Sequence, residues 1–267
     1  MKNVLLLVHD DPGQEARFQA ALDLTRALGG HLSCLDVTAM PIVSGDLYTV
    51  SVESELIADE RARESANRKA LELRLAREDV SWDWIDVTGT FAIQVKEAAK
   101  TADIIVLNRR LDSAPFPEMR SLTSDVVIST GKAVVAVPED SKGFQVSGRA
   151  VIAWNGSKEA MKAVQTAIPL LQLAGAVTII EIDDGPMEIP AEDAAAYLSR
   201  HGISARINRQ PVDVLPVTDA ILAEAKSSGA GYIVMGGFGH NPLMEAVFGG
   251  VSRDMLTDSP IPTVMTH

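Results

Sequence analysis

Apolar residues along the chain fall into two alternating patterns. Short β-branched runs such as "VLLLV" at 4–8 and "AVVAV" at 133–137 are separated by longer stretches in which apolar positions recur three and four apart. That order predicts βαβ units, a parallel sheet covered by helices. The predicted strands are Val4–Val8, Leu32–Val37, Trp82–Val87, Ile104–Leu107 and Ala133–Val137, then Ala150–Ala153, Val177–Ile182, Ala205–Asn208, Tyr232–Met235 and Pro262–Thr266. One segment breaks the rhythm: Glu53–Glu78 is charged on most faces, with Leu56, Leu71 and Leu75 among its few apolar residues, and reads as a long, largely solvated helix.

The pattern repeats. "VLLLVHDDPGQEARFQAALDLTRALGGHLSCLDV" near the start and "AVIAWNGSKEAMKAVQTAIPLLQLAGAVTIIEI" in the second half each give strand, polar turn, helix, glycine, strand. Further on, "ADIIVLN" at 102–108 answers "AGYIVMG" at 230–236, and "KAVVAVP" answers "IPTVMTH". Between the halves lies "PEDSKGFQVSG" at 138–148, whose proline, charges and glycines mark a surface connection. The expected organisation is therefore two domains, 1–142 and 143–267. Each is a doubly wound, Rossmann-like α/β unit with a five-stranded parallel sheet.

Composition narrows the function. A net charge of −12 disfavours nucleic acid and anionic membranes as partners, since both attract basic surfaces. No apolar run approaches the roughly 20 residues that span a bilayer, and the opening "MKNVLLLVHDD" turns acidic too early for a signal peptide, so a cytoplasmic location is expected. Cys34, the single cysteine, excludes an internal disulfide.

The densest chemical signal is "YIVMGGFGHNPLMEAVFGGVSRDML" at 232–256. Gly236 stands where a predicted strand ends, the side of a doubly wound sheet on which ligands bind, and Gly239 follows one turn later. Asn241–Pro242 suits a short helical piece, which Gly249–Gly250 then interrupts to begin a second helix. The amides of Gly250, Val251 and Ser252 would face the Gly236–Gly239 turn, forming an anion cradle at a helix N-terminus. The alternative is that these glycines only permit tight packing of strand on helix. Spacing leaves both open.

Glycine, two residues, glycine, nine residues, then a glycine pair, placed between the fourth strand and fourth helix, resembles the ATP-binding motif of the universal stress protein family. "VIAWNGSKEAMKAV" is similar to that family's first strand and turn, and the duplicated plan resembles its tandem members. The resemblance implies an adenine nucleotide alpha hydrolase-like fold whose halves pair through their last strands. It also implies ATP or another adenine nucleotide as ligand, with or without Mg2+, bound in the second half. Asn155 then falls at the ribose or adenine side, Gly236 and Gly239 where the loop wraps ribose and phosphates, and Gly249 at the phosphate end. Two positions depart: Asn155 replaces an aspartate, and Gly250 replaces the Ser or Thr that offers phosphate a hydroxyl, with Ser252 two residues on.

Other candidates are fewer. Asp183, at a predicted strand end in the same half, could hold a ribose hydroxyl or magnesium, and His240, after Gly239, could touch a phosphate. Neither a metal-ligand spacing nor a catalytic motif is present, so no catalytic or metal residue is assigned, and a slow ATPase is the most enzymatic reading. In the first half Asn108 replaces Gly236 and "RRLDSAPFPEMRSLTSD" follows without a glycine, so side chains are expected to fill that half's site, with Arg109 and Arg110 on the solvated surface. A ligand-independent interaction protein is the competing reading. Protein partners and a dimer of the whole chain stay open.

Overall fold

The computed structural model describes residues 1–39, 49–114, 116–183, 187–211, 216–239 and 250–267. The first half runs β1 (Asn3–Val8), α1 (Gln14–Leu28), β2 (His31–Ala39), α2 (Thr49–Leu75), β3 (Ser81–Gly89), α3 (Phe91–Ala98), β4 (Ile104–Asn108), α4 (Met119–Thr130) and β5 (Ala133–Val137). The second runs β6 (Arg149–Trp154), α5 (Lys158–Leu171), β7 (Ala176–Asp183), α6 (Ala191–Arg200), β8 (Ala205–Pro211), α7 (Val217–Ser228), β9 (Ala230–Gly236), α8 (Val251–Asp258) and β10 (Thr263–Thr266). All ten expected strands are present.

They form one sheet in the order β3-β2-β1-β4-β5-β10-β9-β6-β7-β8. Reading outward from the centre, the two halves have the same strand order. Within each half the pairing is parallel, and the halves meet antiparallel at β5 and β10, where Val135 lies opposite Val264. The expected pairing through last strands is what the sheet shows.

Alternation along each strand explains the layers. Val4, Leu6 and Val8 belong to one core with α1, α2, α5 and α6, while Leu5 and Leu7 belong to the other with α3, α4, α7 and α8. Central strands covered on both faces must be apolar throughout, as β1 after its first residue and all of β5 are. The long α2 is anchored on the first core by Leu71 and Leu75, and its counterpart α6 is much shorter. Cys34 is fully buried, and burial, helped by Asp83 and Asp36, pushes its thiol up to about 12. It is inert packing. Among the described residues, no helix is long and apolar enough to cross a membrane.

Candidate functional site

In a doubly wound sheet the crevice opens where the chain's winding reverses, at the carboxyl ends of the strands. In the second half β6 leads outward to β7 and β8, and its other neighbour is β9. The reversal therefore lies between β6 and β9, and the turns leaving these two strands carry Asn155 and Gly236.

The β6 turn is built from "NGS". Asn155 is exposed, and its Oδ1 accepts from the amide of Ser157 at 3.2 Å and from its hydroxyl at 2.7 Å. Ser157 Oγ in turn accepts from Ala160 N at 3.1 Å, capping α5. Gly156 supplies the left-handed backbone of the turn, with φ of +72°, and a side chain there would meet Met187 and Ile189. Trp154, just before, is buried and donates to the Ile189 carbonyl at 3.1 Å.

The β9 turn lies directly on this one. A Cβ on Gly236 would stand 2.6 Å from Ala160 N and 2.7 Å from Glu159 C, so the strand end touches the first turn of α5 backbone to backbone. Gly237 presses toward Val127 of α4 and donates to the Thr266 carbonyl at 2.9 Å, tying the turn to β10 and to the first half. Phe238 follows with φ of +57°, a conformation that bulky residues rarely adopt. Its amide donates to Ser252 Oγ at 2.9 Å, so the buried Ser252 fastens the start of α8 to the glycine turn. α8 begins at Val251 with Gly250 as N-cap in extended conformation, the helix start expected there. Amides in that first turn have no acceptor within the helix.

Sequence reasoning missed Glu159. A Cβ on Gly239 would sit 2.8 Å from its Oε2, so Gly239 makes room for a half-exposed carboxylate that has no ion pair among the described residues. An acid in the first turn of a helix is ordinary, and nothing in the pattern singled it out. Of the other expected residues, Asp183 ends β7 beside Pro211 of β8. His240, Gly249 and the helical piece after Asn241 lie outside the described residues.

The equivalent crevice of the first half, between β1 and β4, is filled by side chains. Arg17 is fully buried and donates to the Leu7 and His9 carbonyls, to both carboxylate oxygens of Asp11 at 2.9 Å, and to Asn108 Oδ1. Asn108 lies within 2.6 Å of where a Cβ on Gly13 would stand. Arg109 departs from the expected surface position: it is 8% exposed, donates to the Thr257 carbonyl near the end of α8, and pairs with Asp112 at 3.3 Å. Arg109 thereby sets a cation at that helix C-terminus, across the seam between the halves.

Fold and site together define a tandem α/β protein whose first crevice at the winding reversal is filled by Arg17 and Asn108, while Met161 and Gly236 stand at the equivalent places of the second half. Residues 147–267 match the Universal stress protein family, and the first half repeats the strand order of the second. Solved structures share the whole fold. A universal stress protein from Archaeoglobus fulgidus DSM 4304 is 19% identical with a TM-score of 0.73, over 99% of this chain and 97% of its own. A candidate universal stress protein from Pseudomonas aeruginosa UCBPP-PA14 is 16% identical with a TM-score of 0.62, over 100% and 93%. No curated protein shows significant similarity to the chain.

Proposed function

We propose that the chain divides near Gly143 and that its second half binds ATP or another adenine nucleotide, as a regulatory ligand of a stress-response protein. One observation carries this reading: the glycine turn after β9, the Asn155 turn after β6 and the start of α8 converge on the crevice between β6 and β9. Asn155 faces ribose or adenine there, and the amides of Gly250, Val251 and Ser252 face phosphate. Phe238 supports it, because backbone strain at a strand end gathers where a loop is shaped for a ligand. Glu159 opposes bare phosphate, so the nucleotide is proposed to enter with Mg2+, held chiefly by its own phosphates, as magnesium commonly is. Among the described residues no group of three or more His, Cys, Asp or Glu could hold a metal ion.

One observation favours the competing reading, a nucleotide-independent interaction protein: Gly236 is demanded by the backbone of α5. Substitution of Gly236 therefore cannot separate the readings, because it damages packing as well as any site. Asn155→Asp can. An aspartate keeps the acceptor that holds Ser157 and restores the carboxylate of the family pattern. Calorimetric titration with Mg·ATP should show binding to the natural chain at about one per chain and several-fold tighter binding to Asn155→Asp. Absence of heat from both at millimolar nucleotide would sink the proposal.

A further inference from the structure

The repeat sets one position apart in the two halves. Val8 of β1 is in register with Asp36 of β2, and Asp36 with Asp86 of β3. At the equivalent place Trp154 of β6 is in register with Glu181 of β7, and Glu181 with Arg209 of β8. Each half thus buries a carboxyl group at the same point of its second strand, and the third strand supplies its neighbour. In the second half that neighbour is a cation; in the first it is another carboxylate.

Glu181 is well served. Arg209 Nε donates to Oε1 at 2.6 Å and Ala191 N, at the start of α6, donates to Oε2 at 3.1 Å. Asp36 has no cationic or backbone partner of this kind: it is 3% exposed, its Oδ1 is buried without a hydrogen bond among the described residues, and the neighbouring neutral Trp84 indole is the one side-chain donor that favours its charged form. A carboxyl group taken from water must be paired, hydrogen-bonded or protonated. Asp36 lines a cavity of about 490 Å³ between α2 and strands β2 and β3, large enough for a small molecule.

The cations already present are engaged elsewhere or stand off. Arg68 donates to Glu72 at 2.8 Å and to Asp86 at 3.3 Å, with its guanidinium over the Trp84 ring. Arg61 and Lys69 line the wall and make no ion pair among the described residues. Glu64 is held by His9 at 2.7 Å. We propose that this cavity binds a small organic cation, a guanidinium or primary ammonium group, whose N–H donors serve Asp36 as the Arg209 guanidinium serves Glu181. A bare metal ion is the wrong occupant, since no sufficient ligand group surrounds the cavity among the described residues.

Binding depends on pH in a definite direction. Burial, reinforced by Glu64 and Asp86, raises the Asp36 carboxyl to about 7, while the nearby Trp84 indole and His9 oppose the rise. The charged groups facing it are Asp86 from β3, His9 after β1, and Arg61, Glu64, Arg68, Lys69 and Glu72 from α2. Raising the pH ionises Asp36, and that change favours a cation.

The test uses the full chain with carboxyl-13C aspartate and methylguanidinium chloride as probe, at constant ionic strength. The Asp36 carboxyl resonance should shift saturably at pH 8, and affinity should be about tenfold weaker at pH 6, where a group titrating near 7 is mostly protonated. Asp36→Asn should lose binding. Asp86→Arg, at an exposed position, should lose it too, by supplying an internal guanidinium, while keeping the fold; this variant decides the matter if Asp36→Asn does not fold. No saturable shift in the natural chain at pH 8, or undiminished binding to Asp86→Arg, would overturn the proposal.

Discussion

The contact between Gly236 and α5 can be tested by a single methyl group. In Gly236→Ala the new Cβ would lie 2.6 Å from Ala160 N, 2.7 Å from Glu159 C and 3.0 Å from Glu159 Cβ. The first two are backbone atoms, and ordinary contact would require a retreat of roughly 0.8 Å. α5 has nowhere to go: Ala160, Ala163, Val164 and Ala167 are all buried against the sheet. Overpacking of this kind costs about 1–3 kcal/mol. At roughly 2–4 °C per kcal/mol for a protein of this size, the melting temperature should fall by about 4–8 °C for a mid-range cost. Differential scanning calorimetry of the natural chain, Gly236→Ala and the control Gly202→Ala would measure it. Gly202 has a positive φ, which Gly236 does not, and opens on empty space, so its alanine carries backbone strain without a collision. If Gly236→Ala melts no lower than the natural chain, the close approach is not what holds the glycine in place, and the packing account fails.

Further predictions concern the first half and the seam. Arg17→Met leaves Asp11 buried without its guanidinium and should cost about 3–5 kcal/mol in urea denaturation, with a smaller loss in Arg17→Met/Asp11→Asn, where no charge is stranded. Asp36 holds its proton in the folded chain to about 7 and releases it near 4 when unfolded, so the folded state binds more protons between those values. Stability should therefore fall as pH rises from about 4 to 7, and Asp36→Asn should flatten the slope in urea denaturation across that window. Residues 143–267 produced alone would leave the β10 edge beside Val264 and Met265 unpaired; size-exclusion chromatography should show self-association.

Much of the architecture was legible because the sheet's chemistry is local. Central strands covered on both faces demand apolar runs, whereas the edge strands β3 and β8 alternate apolar with polar residues, and backbone pairing continues through them to Gly89 and Pro211. The closed site was half legible. Asn108 in place of Gly236 predicts a filled crevice, but Arg17 reads as a solvated helix residue and is instead the buried centre of the network. The signal was in the repeat: aligning "QEA" at 14–16 with "KEA" at 158–160 sets Arg17 against Met161, so arginine and asparagine replace methionine and glycine together. Arg109 gave no such sign. Its burial depends on α8, 148 residues further along the chain, which no local pattern can announce.

The antiparallel junction of β5 and β10 has a consequence for how the halves can change. Two separate copies meeting at that edge would be held by mass action and would fall apart on dilution, whereas halves on one chain face each other at a fixed effective concentration. Dilution cannot part them. Separate copies of one gene product must also carry the same residue at every position, so a substitution that closes one crevice would close its twin. Covalent linkage removes that constraint. Arg17 and Asn108 can fill one crevice while Met161 and Gly236 stand at the equivalent places of the other, and the filled half still pairs along the second half's last strand.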